Sequence, residues 1–478
     1  MNKQLLSIFL FVGVATSALA QHIDISRVYE AGLPVLFIET VNSEEPTYDH
    51  VVAPAGCLGE SIINATKVKG RVYIENSEGE ILFDSNPYVK NTSGMKIKVR
   101  GNFSALEDKK PYKIKLEKKA DLLLRGDTRF DDKDWILLKD ENLKTMFSLK
   151  VNELLGMSWT PAYEYVNVVF NGEYIGLYML LEAVGRNKDC RINVSKDGYI
   201  IEVDPYYWKE DVYFECGLYP YVKYTYKYPK EKELTRERAD YIENYIASTE
   251  VSLRDGSYAD YIDINSFARY MLVHDIIGCF DGAGSNMYLC KYDSKDTKLF
   301  LATTWDFGSA FETVGEWDKS HDGVFYHNLF YGQWDFRRPR NDGFGQALFG
   351  TRDYTFINTY KTLYNDTKTE VFAQMKQWLD SLSSSSLCVA LNKSLVLDAE
   401  KWNWGGQNSV EVRAADTKQW LEDREKWLDD NVPNLGNRWD IFTTRTWIFL
   451  GICVLMLLCT FLIMFLSIRY FKKKKLGK

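Results

Sequence analysis

The sequence predicts an α+β protein of two lobes, strands gathered in the first and helices in the second. Three observations carry that expectation. Period-two alternation of apolar residues recurs from Leu33 to Glu182. Apolar spacing of three and four takes over from Glu231 onward. No low-complexity linker divides the 478 residues, so the two parts are expected to pack intimately.

The segment 21–89 is strand-rich. LPVLFIETV precedes RVYIENSEGEILFDS, where Ser77-Glu78-Gly79 separates two apolar runs as in a hairpin. It forms either a separate small sheet or the first strands of the main lobe. A domain over 90–445 follows, with a strand-rich lobe over about 90–185 and a helix-rich lobe over about 186–445. In MKIKVRGNFSALEDKKPYKIKL, Met95, Ile97 and Val99 alternate with Lys96, Lys98 and Arg100, and Tyr112, Ile114 and Leu116 alternate with Lys113 and Lys115. One face is core and the other cationic. LKTMFSLKVNELLG puts Phe147, Val151, Leu154 and Leu155 on one helical face, with Glu153 off that stripe and Gly156 as the stop. Asn171-Gly172 is a strong hairpin turn between two strands, the second ending at Glu182. YIIEVD and VYFECGLY read as further strands, and ELTRERADYIENYIAS, INSFARYMLVHDII and Val412 to Leu428 as helices.

The two ends speak to location. Residues 1–20 have the charge, apolar core and small-residue site of a signal peptide. Residues 447–468 are an uncharged run long enough for a membrane crossing, followed by a basic tail over 469–478. Positive charge stays on the cytoplasmic side, so the expectation is a single-pass membrane protein with its folded part outside the cytoplasm, in a cell envelope. Six N-x-S/T sequons occur; a glycan on Asn102 would obstruct the Arg100-Gly101-Asn102 turn. A net charge of −7 without a basic, aromatic-interleaved stripe argues against nucleic acid. An aromatic content of 15% argues for a large folded core. Cys279 and Cys290 either staple the segment between them or remain buried thiols.

The segment FDGAGSNMYL places Asp281 and Asn286 five positions apart. That is the spacing of a loop whose aspartate accepts a hydroxyl proton and whose asparagine holds a metal ion in phosphoryl transfer. A strand-like return, KLFLATTWDFGSAF, then delivers Asp306 followed by an aromatic and a glycine. Two ligands from adjacent strands can share one divalent cation, with phosphate oxygens and water completing its octahedron. In this scheme Lys113 pairs with phosphates, Glu153 or Glu182 orients it, Arg100 assists, and Tyr178 to Glu182 lie beside the base. No G-x-G-x-x-G or Walker A stretch is present, so the nucleotide cradle departs from both.

With Arg100-Gly101-Asn102, KKPYKIKL, WILLKDENLKTMFSLKVNELLG, VVFNGEYIGLYMLLE, the Asp281/Asn286 loop and WDFGSAF in this order, the chain resembles the CotH (spore coat protein H) kinase family over roughly 90–430. The resemblance implies a two-lobed atypical protein-kinase-like fold and use of ATP with Mg²⁺ or Mn²⁺. It also implies transfer of phosphate to Ser or Thr of exported protein substrates. Many members carry a second acid where this chain has Gly308. The alternative is therefore a non-catalytic surface protein that keeps the fold as a binding or adhesion module.

Overall fold

The first strand finds two partners far apart in sequence, and that decides the architecture. The computed structural model describes residues 22–57, 59–218, 222–279, 282, 285–311, 344–350, 353–436, 452–458 and 460–466. Helix α1 (Ile25–Glu30), capped by the Asp24 carboxylate, leads into β1 (Val35–Thr40). Strands β2 (Asp49–Val52) and β3 (Glu60–Ile63) pair only with each other, and β4 (Val68–Glu75) and β5 (Ile81–Asp84) form the hairpin expected around Gly79. Then come β6 (Met95–Val99), β7 (Tyr112–Ala120), β8 (Asp132–Leu138), α2 (Lys144–Leu154), β9 (Tyr163–Phe170) and β10 (Glu173–Glu182). Asn171 and Gly172 both take the positive φ that their tight turn requires.

β1 runs antiparallel to β4, from Val35 opposite Glu75 to Thr40 opposite Gly70, and parallel to β9, from Val35 opposite Asn167 to Ile38 opposite Phe170. The remaining neighbours run β9, β10, β8, β7, β6, β4, so the sheet closes into a seven-stranded barrel with β5 appended to β4. Closure leaves those strands no free edge. Leu36, Ile38, Val72, Ile97, Ile114, Trp135, Val168 and Leu180 fill the interior. Lys96, Lys98, Lys113 and Lys115 alternate with these inward residues and lie on the outer face.

The barrel corrects the expected two-lobed kinase-like fold, although the mixed strand and helix content stands. Alternation along a strand tells which side is buried and is the same for an open sheet and a barrel. Closure depends on the parallel β1–β9 pairing, which local patterning does not encode.

Beyond residue 185 strands continue. β11 (Tyr199–Val203), β12 (Tyr213–Phe214), β13 (Tyr224–Tyr228), β14 (Met287–Lys291) and β15 (Leu299–Leu301) make an antiparallel sheet in the order β12, β13, β11, β14, β15. Between β13 and β14 come α3 (Arg236–Asp255), capped by Thr235, and α4 (Ile264–Ile277), capped by Asp263. After β15 follow α5 (Phe344–Gly350), α6 (Thr355–Ser383), α7 (Ser386–Lys401) and α8 (Val410–Asn431). The last half of α4 is buried on all sides, because α2, α6, α8 and β15 all pack on it. Cys279 and Cys290 are both buried, and no disulfide joins them to each other.

No helix among the described residues is long and apolar enough to cross a membrane. Of the expected crossing at 447–468, residues 452–458 and 460–466 are described, and they are helical. The single-pass membrane location is corrected accordingly. Residues 1–20 and 469–478 lie outside the described residues.

Candidate active site

A cavity of about 810 Å³ opens between the barrel and the five-stranded sheet. Its barrel wall is built by Arg100, Gly101 and Asn102 after β6, Leu138 at the end of β8 and Leu181 on β10. The opposite wall carries Glu202 and Asp204 around the end of β11, Lys227 on β13, Asn286 and Tyr288 at the start of β14, and Trp305 to Gly308.

Asn286 and Asp306 meet here. Asn286 Nδ2 donates to Asp306 Oδ2 at 3.4 Å. Both residues hold positive φ, 56° and 65°, a conformation that Asn and Asp tolerate better than most and that recurs at functional sites. Trp305 and Phe307 are buried on either side while Asp306 is exposed, so the aromatics anchor the segment and leave the carboxylate in the cavity. A half-turn of the Asn286 amide would turn its oxygen toward Asp306, as a shared cation needs; the two orientations fill the same space. Among the described residues no group of three or more His, Cys, Asp or Glu has metal-binding geometry. A cation at Asp306 and Asn286 would therefore take its other ligands from phosphate and water, which suits magnesium.

Arg100 faces this pair. The turn that presents it requires glycine: Gly101 has φ +103°, and a Cβ there would come within 2.5 Å of Ser104 Oγ. Burial draws the Arg100 guanidinium below its ordinary pKa, opposed by Tyr288, Asp306 and Glu202. It makes no ion pair among the described residues. Lys227 Nζ lies 2.5 Å from Glu202 and 3.9 Å from Asp204. Burial presses this ammonium down, but the two carboxylates outweigh it and its pKa is raised. Burial also raises Glu202. Lys209 donates to Asn102 Oδ1 and, at 3.1 Å, to Ser61 Oγ, and burial lowers its pKa. Lys144 donates to the Gly308 carbonyl at 2.9 Å.

The other expected site residues lie elsewhere. Asp281 is outside the described residues. Its neighbour Gly282 is fixed from below: Tyr270 donates to the Gly282 carbonyl at 3.0 Å, and a Cβ on Gly282 would stand 2.2 Å from the His274 ring. Burial holds His274 near pKa 3, hence neutral. Lys113 is not on the cavity wall; it pairs with Asp134 at 2.9 Å on the outer face of the barrel. Glu153 is exposed and pairs with Lys150 at 3.0 Å. Glu182 is buried between Arg191 at 2.6 Å and Arg125 at 2.9 Å, and accepts from Trp159 and the Ala162 N–H. Of Tyr178 to Glu182 only Leu181 lines the cavity, while Tyr178 and Leu180 fill the barrel.

Sequence reasoning passed over Glu202, Asp204, Lys209 and Lys227. One signal was available: β11 is buried at every position, and a glutamate inside such a strand demands a cationic partner. Asp140 was also passed over. It accepts from Tyr165 at 2.5 Å and from the Thr145 and Met146 N–H groups that open α2, and burial lifts its pKa to about 6.

A family model described as CotH kinase protein matches residues 97–428, which span β6 to nearly the end of α8. No curated protein matches the chain.

Proposed function

Because the chain belongs to the CotH kinase family, we propose that it transfers the γ-phosphate of ATP to a Ser or Thr hydroxyl of a protein, in the cavity between barrel and sheet. The observation that carries this reading is the meeting of Asn286 and Asp306 on a cavity wall that also carries Lys227 and that Arg100 faces. Asp306 and Asn286 would hold Mg²⁺ or Mn²⁺, which when bound draws phosphate oxygens together and offsets their charge. Arg100, lacking a carboxylate of its own, is placed to pair with phosphate oxygens. Lys227, oriented by Glu202, takes the phosphate-pairing role that the sequence assigned to Lys113. Asp281 accepts the proton of the attacking hydroxyl as the new O–P bond forms; the bond from the γ-phosphorus to its bridging oxygen breaks, and its electron pair leaves with ADP.

A full-length preparation given γ-labelled ATP with Mg²⁺ or Mn²⁺ is expected to label itself or an added protein. Asp281→Asn should lower that rate by about 10²-fold or more, as the loss of a general base does. Labelling that persists unchanged in Asp281→Asn overturns the assignment.

A second reading, a non-catalytic binding module, is favoured by Gly308, which leaves open space beside Asp306 Oδ1, 3.8 Å from where its Cβ would be. Melting with ATP and metal separates the two. A ligand that binds only the native state must raise the transition, and no shift would favour the non-catalytic reading.

A further inference from the structure

The outward residues of β6 form a line. Lys96, Lys98 and Arg100 succeed one another at every second position on the face opposite the barrel core, and Arg100 ends that line on the cavity wall. Directly across the ladder on β7 stand Lys115 opposite Lys96 and Lys113 opposite Lys98. Like charges directly opposite each other destabilise a pair of strands, so two successive lysine–lysine rungs cost stability. Only part of this charge is answered locally. Lys96 pairs with Glu117 at 2.6 Å and Lys113 with Asp134 at 2.9 Å. Lys98 and Lys115 have no ion-pair partner among the described residues.

Other lysines converge on the same face. Burial and then Lys113, Lys67 and Lys209 lower the pKa of Lys98, against a weaker pull from Glu210. Desolvation and then Lys113 lower that of Lys230, with Lys227 and Lys115 adding to it and Asp134 opposing. The chain as a whole carries −7, so this concentration of positive charge is local.

We propose that the outer face of β6 and β7 is a docking track for an extended, acidic protein segment that leads into the cavity at Arg100. Successive outward positions on a strand are about 7 Å apart, which is also the repeat of same-side residues in an extended peptide. A chain with glutamate or aspartate at alternate positions thus meets Lys96, Lys98 and Arg100 in register. It would answer the charges of Lys98 and Lys115, and its continuation would arrive beside Asp306. Naming that segment part of the phosphate acceptor rests on the proposed phosphotransfer; the binding itself does not.

The test uses the full chain and two labelled peptides, one with glutamate at every second position and one with lysine there, followed by fluorescence anisotropy. The glutamate peptide is expected to bind, to weaken as sodium chloride is raised, and to lose at least about tenfold in affinity in Lys98→Glu/Lys115→Glu. The neutral Lys98→Gln/Lys115→Gln should lose less, and guards against misfolding of the charge-reversed variant. The melting shift with ATP and metal should be the same in these variants as in the parent, so a failed nucleotide site and a failed docking track are told apart. Equal binding of both peptides, undiminished binding by both variants, or tighter binding of single-stranded DNA than of the glutamate peptide overturns the proposal.

Discussion

Two buried or half-buried cations, Lys109 beside the barrel and Arg100 in the cavity, follow opposite rules. Lys109 is 0% exposed and Asp398 on α7 1%, and they meet at 2.6 Å. The other Asp398 oxygen accepts from the Leu177 N–H, while the rings of Tyr178 and Trp404 cover the ammonium. Gly176 lacks a side chain because its Cβ would fall 2.2 Å from Asp398 Oδ1. Every group there is satisfied, so the pair is architecture: it ties α7 to β10. Arg100, by contrast, has lost water without gaining a carboxylate partner. Charge that is left incompletely answered marks where a ligand belongs.

Breaking the satisfied pair should have the largest effect. Asp398→Ala strands a buried ammonium and is expected to cost about 3–5 kcal/mol, read by denaturant unfolding. A loss under about 1 kcal/mol would remove the distinction between the two sites.

Asp140 sharpens the comparison, since it lines the cavity yet is held like architecture. Its folded pKa, about 6, lies above the ordinary 3.8, so the folded state holds the proton more tightly than the unfolded. Stability is therefore expected to fall as pH rises from about 4 through about 6, by on the order of 3 kcal/mol. Melting curves of Asp140→Asn, which cannot ionise, should lack that part of the slope.

In the cavity the expectation reverses. Asp306→Ala should reduce phosphotransfer by about 10²-fold or more while leaving the melting transition within about 1 kcal/mol of the parent, because Asp306 is exposed. Gly282→Ala is the mildest. Its methyl group cannot stand where the His274 ring is, so residue 282 must shift, and a shift next to the proposed base should cost about tenfold in rate. A rate equal to the parent's would show that the loop accommodates the methyl group without moving its base.

What could be read from the sequence was local. The Asn171-Gly172 turn, the β6 and β7 alternation and the apolar spacing of α3 and α4 are each set by a few nearby residues, and all appear. The approach of Asn286 to Asp306 was legible too, because β14 and β15 are successive strands that pair, Leu289 opposite Leu301. Hidden were contacts between distant segments. Lys227 looks like any solvated lysine until Glu202 is placed beside it, and Lys113 looks like a phosphate ligand until the barrel turns it toward Asp134.

The family-matched span opens at residue 97, inside β6, whereas β1 and β4 lie upstream of it and supply two of the seven staves. A recombinant fragment trimmed to the matched span would keep every residue that lines the cavity except Gly59 and Glu60, yet would be missing the strands that join β9 to β6. Two raw edges would then face solvent with an apolar lumen between them, a template for intermolecular pairing. For this protein the upstream third of the barrel is thus a condition of solubility for any usable fragment.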